Sequence, residues 1–158
     1  MKFLADGMLG KLARWLRMLG HDVIYSVAFN DSELLELAKK EERVLLTKDF
    51  ELYKRAIGKG MDAYYVEGKT ESERLAEVAK RYSLPLVVDM DKSNCPICNT
   101  KLNPTTKEQL QGELEKNTFT YYDKFWKCPN CGQIYWQGAH WKQINNTLTQ
   151  AQQKKLCL

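Results

Sequence analysis

Cys95-Pro-Ile-Cys98 and Cys128-Pro-Asn-Cys131 each put two thiols on one tight turn. That spacing lets each pair occupy two corners of a tetrahedron about 2.3 Å from a zinc ion, and two such turns complete the shell. Four sulfur ligands leave no position open for water. The ion is therefore expected to be structural, adding folding energy to a segment too small to hold itself together. Gly132 after the second pair supplies the backbone freedom a knuckle needs, and Asn99 plays a similar part after the first. A redox dithiol or an iron–sulfur cluster uses the same residue type, but two matched pairs without a thioredoxin-like setting favour zinc. Cys157 is left over as a free thiol near the end.

A second chemistry rests on Asp6, Asp31 and Asp49. Asp6 closes the first expected strand, Asp49 follows the third, and Asp31 starts the second helix. All three thus fall on the edge of a parallel sheet where strands hand over to helices and ligands bind. With strand order 2-1-3-4, strands one and three are neighbours about 4.8 Å apart, and Asp6 and Asp49 flank the switch point. Converging carboxylates repel unless neutralised, and Mg²⁺ or Mn²⁺ is their natural partner. Such a site suits phosphodiester cleavage, in which one or two ions activate water and stabilise the leaving oxygen. Each acid also has a simpler reading, because Asp31 and Asp49 begin helices and Asp6 precedes one, so all three could be caps. Glu33 and Glu51 rank as supporting ligands only, while Asp22 and Asp62 fall on the opposite edge. Lys11 and Arg14, on the side of the first helix away from its leucines, and Lys48 could receive phosphates or form an ordinary solvated face. His21 and His140 read as structural.

The elements that position these groups follow from periodicity. Strands are expected at residues 2–6, 22–26, 44–47 and 63–66, and helices at 9–19, from a cap at 30–32, at 50–56 and at 72–82. Alternation of this kind implies a parallel sheet. Residues 86–92 could add an edge strand before a boundary near residue 92. Beyond it come the knuckles, a helical piece at 106–110, an aromatic block, and a polar helix at about 139–156 whose Gln-rich end is expected to fray.

The chain has 158 residues, is 44% hydrophobic and 28% charged, and has enough apolar material for a core. No apolar run approaches the roughly 20 residues of a membrane span, and the start lacks the unbroken apolar stretch of a signal peptide, which predicts a cytoplasmic protein with no membrane partner. Residues 1–92 hold 16 Lys/Arg against 16 Asp/Glu, and residues 93–158 hold 8 against 4, so the whole excess of +4 lies in the second part. A basic ribbon suggests an acidic partner such as nucleic acid. Eight aromatics between residues 119 and 141, Trp126 among them, interleave with Lys116, Lys124, Lys127 and Lys142. Such rings and lysines either stack bases and hold phosphates or simply cover the hairpin around the zinc.

The stretch Phe3-Leu4-Ala5-Asp6-Gly7-Met8-Leu9-Gly10-Lys11-Leu12-Ala13-Arg14-Trp15-Leu16-Arg17 resembles the opening of the Mut-seven C-terminal RNase family. Asp31 with Leu34-Leu35, Val44-Leu45-Leu46-Thr47-Lys48-Asp49, both cysteine pairs and Tyr135-Trp136-Gln137-Gly138-Ala139-His140-Trp141 extend the likeness to residue 142. The chain has Lys48 where the family often has Arg, and Ala139 where it often has Ser. The resemblance implies an α/β fold: a PIN-like three-layer domain at 1–92 with a parallel four- or five-stranded sheet, then a four-cysteine zinc ribbon with a C-terminal helix at 93–158. It also implies Asp6, Asp31 and Asp49 as metal-binding acids, without supplying the fourth acid that PIN-type sites commonly use. The expected activity is hydrolysis of single-stranded RNA with Mg²⁺ or Mn²⁺, the ribbon positioning RNA through residues such as Trp126 and Lys127. The rival expectation is a non-catalytic RNA-binding or adaptor protein whose ribbon docks a ribosome or another partner. A protein-interaction module without nucleic-acid affinity is a third.

Overall fold

Four strand–helix pairs open the chain: β1 (Lys2–Ala5), α1 (Gly10–Met18), β2 (Asp22–Tyr25), α2 (Asp31–Lys40), β3 (Val44–Thr47), α3 (Phe50–Gly58), β4 (Ala63–Tyr65) and α4 (Glu71–Tyr82). The computed structural model describes every residue from Met1 to Leu158. The strands form one parallel sheet in the order β2-β1-β3-β4, the order under which Asp6 and Asp49 flank the switch point.

Successive strand side chains point to opposite faces, which sorts the core into two layers. Phe3, Ala5, Val23, Val44 and Leu46 pack with the leucines of α1 and with Leu75 and Val78 of α4. Leu4, Leu45 and Ala63 pack with Leu34, Leu35 and Ala38 of α2 and Leu52 and Ala56 of α3. Helix starts are chemically marked. Asn30 with Glu33 and Thr70 with Glu73 form reciprocal capping boxes, while Asp49 caps α3 alone. Gly20, at φ +94°, follows the end of α1 and turns the chain into β2.

Residues 86–92 do not add a fifth strand. Leu84, Leu86 and Met90 are buried, but the Leu84 and Leu86 carbonyls accept from Lys155 Nζ at 3.1 Å and Gln152 Nε2 at 2.8 Å instead of from a ladder. Both donors belong to a long C-terminal helix, α6 (Trp141–Cys157). Its Gln-rich end is not frayed. Ala151 is fully buried in the sheet's core, and Lys154 Nζ donates to Ser72 Oγ of α4 at 2.7 Å. Small residues on both helices (Ser72, Ala76, Ala79 and Ala151) leave room for this approach.

Between the sheet and α6 lies the ribbon: β5 (Asn103–Thr105), a 3-10 turn at Glu108–Leu110, α5 (Lys116–Tyr121), β6 (Phe125–Lys127) and β7 (Ile134–Tyr135). Its strands pair antiparallel in the order β5-β6-β7 around Met90, Cys95, Leu102, Trp126 and Cys128. No helix is long and apolar enough to cross a membrane.

His21 sits half-buried before β2, edge-on to Phe3 at 5.7 Å, with the Met1 ammonium 3.1 Å from Nδ1. Burial, then that ammonium, lowers its pKa to about 4. A folded pKa below the unfolded value of about 6.5 means the unfolded chain binds the proton first. Its contribution is therefore intact above pH 6.5 and is lost as pH falls toward 4. Discounted for partial exposure, His21→Gln should remove about 1 kcal/mol of the stability loss between pH 7 and pH 5. Urea titrations at both pH values check this; parallel losses in parent and variant would refute it.

Candidate carboxylate edge and cysteine metal centre

Asp6 is 6% exposed, directly beyond the end of β1. Its Oδ1 accepts from Met8 N–H at 2.9 Å, and its Oδ2 accepts from Lys48 N–H at 2.9 Å and from the Thr47 hydroxyl. No basic side chain pairs with it. Thr47, fully buried, also accepts from Asp49 N–H at 2.9 Å, so its hydroxyl joins the Asp6 carboxylate to the Asp49 backbone. Thr47 was assigned no role on the sequence. The usable signal was a polar residue at the last position of an otherwise apolar strand.

Asp49 caps α3 with one oxygen, which accepts from Glu51 N–H at 3.0 Å and Leu52 N–H at 3.2 Å. Its other oxygen makes no hydrogen bond within the protein. Asp31 is exposed at the start of α2, where Asn30 does the capping, and its carboxylate lies 3.7 Å from Arg55 of α3. The three acids share one edge of the sheet, but their oxygens do not close to within 4.8 Å of one another, the separation the four cysteine sulfurs do reach. Glu33 is occupied in the α2 capping box, and Glu51 pairs with Lys54 at 3.1 Å. Lys11 and Arg14 are exposed on α1, and Lys48 Nζ donates to the Gly68 carbonyl at 3.3 Å. Asp6, Asp31 and Asp49 lie outside the cavities bordered by the ribbon, α4 and α2.

At the other end of the sheet the two knuckles repeat one hydrogen-bond scheme. Cys95 N–H donates to Thr100 O at 2.7 Å and Asn99 N–H to Cys95 O at 2.8 Å; Cys128 N–H donates to Gln133 O at 2.9 Å and Gly132 N–H to Cys128 O at 3.0 Å. Asn99 (φ +72°) and Gly132 (φ +78°) take the left-handed conformation expected of them. All four sulfurs lie within 4.8 Å of one another, with Cys95–Cys131 at 3.7 Å and Cys98–Cys128 at 3.3 Å. A tetrahedron with metal–sulfur bonds of about 2.3 Å has edges of about 3.8 Å, so the four residues fit one zinc ion. Hydrogen bonding to Thr100 pulls Cys98 down to about 5, whereas at Cys131 the Gln133 N–H, which lowers it, is outweighed by desolvation and the three neighbouring sulfurs, which push it up to about 12.

Arg17 joins the centre to the sheet. Its guanidinium is 7% exposed and donates from Nε to Val23 O at 2.9 Å and from Nη1 to Pro96 O at 2.9 Å and Ile97 O at 3.3 Å. Four thiolates around a divalent ion leave a net negative charge, and Arg17 is the cation beside it. This role was not read from the sequence, although Arg17 stands four residues after Ala13 on the apolar stripe of α1. Asn99 completes the joint, donating to Asp22 Oδ1 at 2.7 Å and accepting from Val23 N–H at 2.9 Å. Arg17→Met should cost about 2–4 kcal/mol through the orphaned carbonyls, with only partial rescue by Arg17→Lys, which lacks the planar fork. Denaturant titration of the three proteins tests it, equal stability counting against this account.

Two ribbon residues expected to contact substrate are otherwise engaged. Trp126 is 6% exposed in the ribbon core, and its indole N–H donates to Asp91 at 2.9 Å, so its ring faces cannot stack a base. Lys127 pairs with Glu113 at 3.0 Å. The available rings border a 450 Å³ cavity between ribbon and α6, where Tyr122, Tyr135, Trp136 and Trp141 stand half-buried.

An acid-edged parallel α/β sheet carrying a four-cysteine ribbon defines an α/β protein with a zinc-ribbon-type metal centre. The chain belongs to the Mut7-C RNAse domain family, whose model matches residues 1–148, through the ribbon and into α6. Its function is accordingly nuclease- or RNA-related. No curated protein and no solved structure matches the chain.

Proposed function

We propose that this protein is a Mg²⁺- or Mn²⁺-dependent ribonuclease that hydrolyses single-stranded RNA at the edge marked by Asp6, Asp31 and Asp49. The observation that carries the reading is the Thr47-linked pair, a buried Asp6 without a cationic partner and an Asp49 with one free oxygen, in a chain of an RNase family. The spacing of the acids suits a hydrated ion held through one or two carboxylates rather than an all-protein cage. A divalent ion bound there supplies a water of lowered pKa and offsets charge on the phosphodiester oxygens. Thr47 and the Lys48 N–H hold the Asp6 carboxylate in place, while Lys11, Arg14 and Lys48 offer cations to neighbouring phosphates.

In this reading residues 1–92 are the nuclease unit and residues 93–158 the ribbon unit. The ribbon is stapled by structural zinc and adds RNA contact through its lysines and half-buried rings. One observation favours the adaptor alternative: all three acids also have structural work, as hydrogen-bond hub, helix cap and partner of Arg55. A time course on labelled single-stranded RNA with Mg²⁺, Mn²⁺ or EDTA decides between them. Cleavage that requires the divalent ion is expected, and tight binding without cleavage in every condition would leave the adaptor.

A further inference from the structure

Three loops of the acid edge expose large apolar side chains to solvent: Met8 after β1 (66% exposed), Val27 after β2 (77%) and Phe50 at the start of α3 (50%). Single exposed apolar residues need no explanation, but a group on one functional edge does. Phe50 belongs to neither core cluster. It packs instead against two half-buried rings, edge-on to Tyr65 at 5.4 Å and tilted 31° to Tyr53 at 6.0 Å, with Tyr53 and Tyr65 6.2 Å apart. Lys54 Nζ lies over the Phe50 ring, 5.3 Å from its centre, on an exposed side chain paired with Glu51 that a stacking base would displace toward the phosphate.

The position of this cluster follows from the chain. Phe50 directly follows Asp49, and Lys48, two residues before it, donates its N–H to Asp6. Tyr65 ends β4 in register with Thr47. The rings are therefore fixed to the same strand ends that carry the acids, and Tyr53 and Tyr65 hold the Phe50 side chain so that little freedom is lost on stacking. An aromatic face beside cations and phosphodiester-directed acids matches one ligand chemistry, a flat base attached to an anionic backbone.

We propose that Phe50, backed by Tyr53 and Tyr65, is a stacking platform for an unpaired RNA base next to the phosphodiester held at the Asp6–Asp49 edge. The platform rests on the RNA reading above and adds to it a reason for single-strand preference, because a paired base cannot turn its face to the ring. The contact is to the π-face common to all bases, so it tolerates sequence.

The test uses the full-length protein with Asp49→Asn as background, so that bound RNA is not consumed. Binding of labelled oligouridine is compared with Phe50→Ala, Phe50→Trp and, as an exposed control on the same helix, Ile57→Ala, each checked for unchanged melting. Phe50→Ala should weaken binding about 5- to 100-fold, the worth of one stacked base, while Phe50→Trp restores it and Ile57→Ala leaves it unchanged. On an abasic oligomer of the same length the Phe50→Ala penalty should vanish. Equal binding by parent and Phe50→Ala, or the same penalty on the abasic oligomer, overturns the platform alone. A parent protein that binds no oligouridine overturns the RNA reading and the platform together.

Discussion

Asp49→Asn should melt with the parent protein and cleave RNA at least about 100-fold more slowly, the usual scale for losing a charge aimed at the reacting centre. The reason lies in how the two oxygens are used. Oδ1 accepts the Glu51 and Leu52 N–H groups as the α3 cap, and Asn caps a helix as well as Asp does. Oδ2 has no partner in the protein, so its replacement by an amide removes charge and leaves the local fold intact. Asp6→Asn should behave differently. Both of its oxygens accept hydrogen bonds, so an amide group must face an N–H or O–H donor whichever way it turns. That variant should lose cleavage together with about 1–3 kcal/mol of stability. Loss of activity in Asp6→Asn alone, with full activity in Asp49→Asn, would mean that the edge is a structural hub. Full activity in both would remove these acids from the site.

Stripping the metal from the cysteines should unfold the ribbon while the four-stranded sheet stays folded. The ribbon's core cluster has five buried residues, two of them the ligands Cys95 and Cys128, which is too little apolar area to offset its chain entropy. Zinc contributes about 10–16 kcal/mol to small modules of this kind near neutral pH, and acid weakens it because each thiol must be deprotonated. The purified protein should therefore hold one zinc per chain. Chelation at mildly acidic pH should abolish the near-ultraviolet signal of the packed Trp126 and expose Lys101, Lys116 and Lys124 to trypsin. Cys128→Ser should reproduce both effects. A metal-free protein with unchanged spectrum and protease resistance would show that the staple is unnecessary. Arg17 predicts how far the damage spreads: its bonds to Pro96 and Ile97 break with the knuckle, leaving its bond to Val23 within the sheet.

Much of this architecture is local and was legible for that reason. The apolar stripe of α1, the short continuous apolar runs of β1 and β3, the Asn30 and Asp49 caps and the knuckle turns each depend on residues within a few positions of one another. The four sulfurs converge because each Cys-x-x-Cys turn carries its own geometry, so only the meeting of two turns remained to be settled. The order 2-1-3-4 was the condition on which the sequence placed Asp6 and Asp49 at the switch point, and β1 and β3 are neighbours in the sheet.

Other features were settled by residues far apart in the chain. Residues 86–92 read as an edge strand because their apolar content suits one, yet Gln152 and Lys155 of α6 take the carbonyls of Leu86 and, just before it, Leu84. The polar composition of α6 suggested fraying because its burial depends on Leu148 and Ala151 fitting against α4, which its average polarity does not reveal. Trp126 looked like a stacking ring because an aromatic among lysines reads the same exposed or buried, and only the folded ribbon turns it inward onto Asp91. Thr47 lies 41 residues from Asp6 and Arg17 lies 79 from Pro96, separations across which no periodicity or capping rule operates. The sequence alone thus determined the element types, the turn chemistry and the identities of the reactive groups, because these are written in neighbouring residues. The tertiary structure decided which hydroxyl joins the acids, which guanidinium braces the metal centre and which rings stay at the surface, because each of those depends on packing between segments distant in the chain.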